Sequence, residues 1–256
     1  MSKILFFDID GTLSIGKQVS KENINCLKAL KDKGYLTFIC TGRAPFYAQY
    51  LFNDLVSGYI CCNGRYILYN GERLHGEAFT NKELNDYLHL FDELDAGYFL
   101  VSDHNSYVHN LNEQYLNETI HAYGKDHIIT EYVNQPYYTF DLFYKDLKHR
   151  DKIIERLKDK IIFNDHGGHG SGDCSTIGFD KGNGIEYCIQ YFNIDINDTY
   201  AFGDGYNDQA MFRVVHNKIA MGNAVDVLKE KATYITTNCD AHGIKNALLH
   251  YHLIDE

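Results

Sequence analysis

The chain has 256 residues, 45% of them hydrophobic, and a formal net charge of −11. That length buries a sizeable core as one large domain or two modest ones. The acidic balance argues against a nucleic-acid partner, whose phosphates are met by Lys and Arg. A phosphorylated small molecule stays open, because a local positive pocket can sit on an acidic protein. No apolar stretch approaches the roughly 18 residues that a membrane helix needs. Met1-Ser2-Lys3 runs straight into an apolar run and leaves no room for a signal peptide. The seven cysteines include no C-x-x-C pair, and most sit in apolar runs where a reduced, packed thiol is expected. The expected location is cytoplasmic.

Ile4 to Phe7 is an apolar run of the kind that forms a strand buried on both faces. It ends in Asp8-Ile9-Asp10-Gly11-Thr12, two carboxylates one residue apart. On a strand, residues two apart point the same way. Unpaired buried carboxylates are costly, so this pair calls for a cation or for protons. Ser20 to Lys33 carries helix signals: Ser at the N-cap, Glu22 in the first turn, and Gly34 as the stop. Tyr35 to Cys40 reads as a second strand, ending in Thr41-Gly42-Arg43, and Pro45 suits the first turn of the next helix. Tyr59 to Cys62 is a third strand, running into Asn63-Gly64. Tyr66–Leu68 and Arg73–Leu74 flank Asn70-Gly71 as a hairpin. This β-α-β-α-β rhythm opens a parallel, doubly wound α/β sheet.

The rhythm changes near residue 80. Helices are expected over Thr80–Leu94, Leu111–Tyr123 and Leu147–Asp159. Strands are expected over Tyr98–Val101, Tyr107–His109, Ile128–Val133, Tyr138–Tyr144, Ile161–Phe163 and Ser175–Phe179, with a loop from Asn164 to Asp173. Paired strands between helices predict an α+β module inserted into the first domain. The expected division is therefore 1–80 with 180–256 for the core and 81–179 for the insertion. After Lys181 a helix (Gly184–Phe192), a strand (Thr199–Phe202) and Gly203-Asp204-Gly205-Tyr206-Asn207-Asp208 restore the βα order. His216–Ala220 and Thr233–Ile235 are the last strands, and Ala241–His252 the closing helix.

In open α/β sheets, ligands bind beyond the carboxyl ends of the strands. One edge would then gather Asp8, Asp10, Thr41, Arg43, Asp204 and Asp208, with Lys181 at a nearby helix start. So many like charges cannot stay ionised together without a metal, and an all-oxygen set suits Mg²⁺. Phosphoryl transfer needs a carboxylate nucleophile, a second acid and fixed donors for the equatorial oxygens. Asp8 fits the nucleophile, Asp10 the acid/base, and Thr41 and Lys181 the phosphate grip. Asp204 would bind the metal directly, and Asp208 directly or through water. The Asp10 backbone carbonyl is a further candidate ligand.

Asp8-Ile9-Asp10-Gly11-Thr12, Thr41-Gly42-Arg43, Lys181-Gly182 and Gly203-Asp204-Gly205-Tyr206-Asn207-Asp208 resemble, in order, the four motifs of the haloacid dehalogenase superfamily of phosphatases. The long insertion after the second motif is similar to the type IIB cap of its Cof-like sugar-phosphate phosphatases. Asn63-Gly64 and Met221-Gly222-Asn223-Ala224 fall where that subgroup carries similar residues. The resemblance implies a Rossmann-like core with an inserted α+β cap, and an enzyme that hydrolyses a small phosphorylated metabolite through an aspartyl-phosphate. It implies Asp8 as the phosphorylated residue, Mg²⁺ held by Asp8, Asp10 and Asp204, and Asn207 near the phosphate. Gly11, Thr12, Gly42 and Arg43 join the expected phosphate and substrate contacts. The enzyme would act as a monomer or homodimer. Rival readings are a phosphomutase of the same fold, a phospho-receiver domain and a non-catalytic metabolite-binding module.

Arg65 departs from the subgroup, which has a small residue after Asn-Gly; it is expected either on the substrate side or outward on the surface. The loop Asp165-His166-Gly167-Gly168-His169-Gly170-Ser171-Gly172-Asp173-Cys174 offers His, Asp and Cys to zinc, but its glycines fit a substrate-contacting or plain surface loop better. Tyr98, Tyr107, Tyr132, Tyr137, Tyr138 and Tyr144 are expected to pack in strands and core rather than to stack on a ligand.

Overall fold

β1 (Ile4–Phe7) is buried along its whole length and takes the centre of the larger of two main sheets. The computed structural model describes residues 3–16 and 18–255. Met1 and Ser2, part of the run expected to leave no room for a signal peptide, lie outside the described residues. A small hairpin of β2 (Ser14–Ile15) and β3 (Gln18–Val19) follows β1. It leads into α1 (Lys21–Asp32), capped by the Ser20 side chain. Then come β4 (Leu36–Cys40), α2 (Pro45–Phe52), β5 (Gly58–Cys61), β6 (Tyr66–Tyr69) and β7 (Glu72–Gly76).

The inserted part holds α3 (Asn81–Leu94), β8 (Gly97–Val101), β9 (Ser106–His109), α4 (Glu113–Tyr123), β10 (Ile128–Ile129), β11 (Thr139–Phe143), α5 (Leu147–Leu157), β12 (Ile161–Asp165) and β13 (Ser171–Thr176). The chain returns through α6 (Lys181–Tyr191), β14 (Thr199–Gly203), α7 (Gln209–Val214), β15 (Asn217–Ala220), α8 (Asp226–Lys229), β16 (Tyr234–Ile235) and α9 (Gly243–His250).

The first sheet runs β16-β15-β14-β1-β4-β5-β6-β7. Its six strands from β16 to β5 are parallel, and β6 and β7 close the edge antiparallel. Numbered along the chain, the parallel strands lie in the order 3-2-1-4-5-6 of the doubly wound nucleotide-binding fold. The order reverses between β1 and β14, and there the loops on either side of the gap diverge to open a crevice. Asp8 follows β1 and Asp204 follows β14, so both stand at the switch point.

The second sheet, β10-β9-β8-β11-β13-β12, is mostly antiparallel. Phe91, Phe140, Leu142, Ile153 and Leu157 pack beneath it in a core of their own. An inserted α+β cap on a parallel core is therefore the observed architecture.

Several elements differ from expectation for identifiable reasons. Ile128–Val133 contracts to Ile128–Ile129, because β10, at the edge of the sheet, pairs only with the first two residues of β9. The expected loop from Asn164 to Asp173 is mostly hairpin. Asn164 and Asp165 pair with β13, and Ser171 to Asp173 pair with β11 and β12. Only His166 to Gly170 turn, with positive φ at Gly167, Gly168 and Gly170. Backbone pairing on both sides outweighed the turn-forming composition. Helix α6 starts at Lys181 rather than Gly184, because Asp180 and Asn183 form a capping box there.

Arg65 is neither outward nor on the substrate side. It is only 7% exposed and joins the two linkers between core and cap. Its guanidinium donates to the Glu77 carbonyl at 3.1 Å and to the Thr176 hydroxyl at 2.7 Å. The same group lies 3.9 Å from the Phe179 ring centroid and 4.7 Å from that of Phe79.

Candidate active site

Four strand and helix ends meet at the switch point. The Lys181 ammonium, at the first turn of α6, donates to Asp8 Oδ1 at 2.6 Å and to Asp208 Oδ1 at 2.7 Å. The other Asp208 oxygen accepts the backbone N–H groups of Asp204 and Gly205, each at 2.9 Å. Asp208 thus fixes both the lysine and the loop that carries Asp204. The Thr12 hydroxyl, expected on phosphate, instead donates to Asp204 Oδ1 at 2.8 Å and is fully buried. Asn223 donates to Asp204 Oδ2 at 3.4 Å and to the Gly11 carbonyl at 2.9 Å. Gly11 is needed here for a steric reason: a Cβ on it would lie 2.2 Å from Asp204 Oδ2.

Asp8, Asp204 and Asp208 bring carboxylate oxygens within 4.8 Å of one another. Burial, with Asp208 nearby, pushes the Asp8 carboxyl well above the usual range even against Lys181. Burial and Asp208 likewise push Asp204 up to about 6. Burial works against the Lys181 ammonium, yet Asp208 and Asp8 outweigh it and hold its pKa well above the ordinary lysine value. Three carboxylates facing one ammonium leave negative charge uncompensated, which a divalent cation would offset. The donor set is all oxygen, so the residues present fit Mg²⁺. The cap loop between β12 and β13, offered above to zinc, forms no such ligand group among the described residues.

The Asp10 carboxylate stands apart from that group of oxygens. Arg43 Nε donates to Asp10 Oδ2 at 2.7 Å, and Arg43 NH1 donates to the Tyr123 hydroxyl of cap helix α4 at 3.3 Å. Asp10 is thereby tied through Arg43 to the cap. Thr41 is 3% exposed, and its hydroxyl accepts the Arg43 N–H at 3.1 Å, which leaves its own proton to give. Asn207 and Gly42 also line the chamber.

That chamber, about 630 Å³, lies between the switch point and the cap sheet. Asp8, Asp10 and Thr41 form its floor, and Tyr123, Asp141 and His166 are on the cap side. Of the tyrosines weighed above, Tyr98, Tyr107, Tyr137, Tyr138 and Tyr144 are buried, and Tyr132 packs on Tyr107 and Tyr137. Tyr115 and Tyr123 of α4 reach the chamber instead. Sequence reasoning missed both, and also missed Asp141; a helix face and a strand alternation were their only signals.

A model of haloacid dehalogenase-like hydrolases matches residues 5–248. The chain belongs to that family and is an enzyme of its hydrolase type. It is 30% identical over 282 residues to the 5-amino-6-(5-phospho-D-ribitylamino)uracil phosphatase YwtE of Bacillus subtilis, covering 94% of this chain and 95% of that one. The 5-amino-6-(5-phospho-D-ribitylamino)uracil phosphatase YcsE, also of Bacillus subtilis, is 25% identical over 252 residues, covering 97% and 95%. Among solved structures, the haloacid dehalogenase subclass IIB sugar phosphatase BT4131 superposes with a TM-score of 0.82 at 26% identity, covering 99% of this chain and 100% of that one. BT1666 of Bacteroides thetaiotaomicron, at 23% identity and a TM-score of 0.84 over 99% and 96%, shares the fold.

Proposed function

We propose that this hydrolase is a Mg²⁺-dependent phosphatase of a small phosphorylated metabolite (a sugar phosphate, nucleotide or phosphorylated cofactor), working through an aspartyl-phosphate on Asp8. The observation that carries this is the Asp8 carboxylate itself. One oxygen is held by Lys181, while the residue opens on the chamber beside Asp10 and Thr41. A carboxylate so pinned presents its second oxygen to phosphorus in a fixed direction, which lowers the entropic cost of attack. The phosphatase names of YwtE and BT4131 support the same reaction class.

Asp8, Asp204 and the Asp10 carbonyl would hold the ion, with Asp208, whose two oxygens are already engaged, acting through water. When bound, the ion neutralises charge on the phosphoryl oxygens. Lys181, Thr41 and the loop carrying Asn207 would grip those oxygens. Asp10 would protonate the leaving alkoxide and then take a proton from the hydrolytic water, worth about 10²–10⁴-fold in rate for a positioned group. Arg43 holds Asp10 for that task. Residues 81–179 would serve as a lid that excludes water and selects the substrate.

The test is direct. Asp8→Asn is expected to abolish hydrolysis of p-nitrophenyl phosphate with an unchanged circular dichroism spectrum. Undiminished turnover by the folded variant would remove Asp8 from the reaction.

A further inference from the structure

A phosphoryl group fills only a small part of a chamber of about 630 Å³; the rest faces the cap. Strand β11 alternates, with Phe140 and Leu142 in the cap core and Asp141 on the opposite, chamber face. Asp173 of β13 is the direct cross-strand partner of Asp141 and lines the same space. Like charges directly opposite on a sheet are destabilising, so the pair works against the stability of the cap sheet.

Only one of the two is compensated. His166 Nε2 lies 3.3 Å from Asp173 Oδ1, and Asn164 donates to Asp173 Oδ2 at 3.2 Å. Among the described residues, no hydrogen-bond donor reaches the Asp141 carboxylate. Burial pushes that carboxyl up to about 7, with the His166 imidazole drawing it back. Arg43, the one guanidinium lining the chamber among the described residues, is committed to Asp10 and Tyr123. The cap side of the chamber carries Glu118, Asp141 and Asp173 with two imidazoles, and no lysine or arginine among the described residues.

We infer that Asp141 and Asp173 form the leaving-group recognition site of this enzyme and select phosphate monoesters whose leaving group bears an amine. The inference rests on the phosphatase reading above. A neutral polyol supplies hydrogen-bond donors but leaves the Asp141 carboxylate charge uncompensated, whereas an ammonium supplies donors and offsets that charge. An acidic leaving group meets like charge in a low-dielectric space and is rejected.

Glucosamine 6-phosphate, glucose 6-phosphate and 6-phosphogluconate share a carbon skeleton and a phosphate but differ in leaving-group charge. Their kcat/KM values are expected to fall in that order, by roughly tenfold or more per step as electrostatic complementarity is lost. The Asp141→Asn, Asp173→Asn double variant is expected to bring the first two within about threefold of each other. Equal values in the wild type, a preference for 6-phosphogluconate, or an unchanged order in the variant would overturn the inference. Calorimetric binding of the same three compounds to Asp8→Asn separates this outcome from failure of the phosphatase reading. If p-nitrophenyl phosphate is not hydrolysed at all, the charge order in binding still decides whether Asp141 and Asp173 select an amine.

Discussion

The Lys181 ammonium lies 2.6 Å from the Asp8 carboxylate although 173 residues separate them in the chain. Both side chains are buried, and Asp208 completes the triad from a third element. Removing one member of a buried ionic group leaves the others uncompensated, which costs more than the pair itself contributes.

Lys181→Ala is therefore expected to lower unfolding free energy by about 3–5 kcal/mol and to cut kcat by more than about 10²-fold. Urea denaturation followed by circular dichroism gives the first quantity and p-nitrophenyl phosphate turnover the second. A variant as stable as the wild type would mean that the lysine is not compensating Asp8 and Asp208.

Chelation by EDTA is expected to stop hydrolysis, and added Mg²⁺ to restore it. Because the ion would bind the folded state alone, Mg²⁺ at a hundred times its Kd should raise stability by about 2.7 kcal/mol. Calorimetric melting with and without the ion measures this. Activity that survives exhaustive chelation would count against the metal.

Thr12→Val keeps the shape of a fully buried side chain but removes the donor to Asp204 Oδ1. Groups that orient a metal ligand in this way are typically worth about 10–100-fold in affinity. The Mg²⁺ concentration giving half-maximal activity is expected to rise by that factor, with KM for the phosphate ester nearly unchanged. A rise in KM alone would place Thr12 on the substrate instead.

Arg65 joins the linkers at Glu77 and Thr176 while stacking on Phe79 and Phe179. Arg65→Lys retains charge but neither the planar stack nor the forked donors. It is expected to speed limited proteolysis at residues 77–80 and 176–180, reported by the appearance of a cap-sized fragment. Wild-type protection in Arg65→Lys would show that the linkers are held by packing alone.

For Asp141, burial raises the folded-state pKa to about 7 from an ordinary 3.8. The folded state therefore prefers the protonated acid. The stability this confers is fully present below about pH 4 and is lost as pH rises through about 7. Asp141→Asn should thus match the wild type near pH 4 and exceed it by about 4 kcal/mol at pH 8. Urea midpoints measured across that range decide it, and a gap that does not grow with pH would remove the burial argument.

The sequence by itself determined the order of most elements and which strand ends carry the candidate site residues. Apolar runs ending in Asp8-Ile9-Asp10, Thr41-Gly42-Arg43 and Gly203-Asp204 mark strand ends of a parallel sheet. A parallel sheet brings such ends to one edge whatever lies between them. The Ser20 cap of α1 is a local signal, read from the sequence and kept in the fold. What only the tertiary structure decided is which atom meets which. Thr12 faces Asp204, Asp10 faces Arg43, and Arg65 turns inward between two linkers. Asp141 stands opposite Asp173. Residues on different strands acquire their partners through register and cap placement, which depend on the packing of two separate cores, and no spacing along one chain encodes that distance.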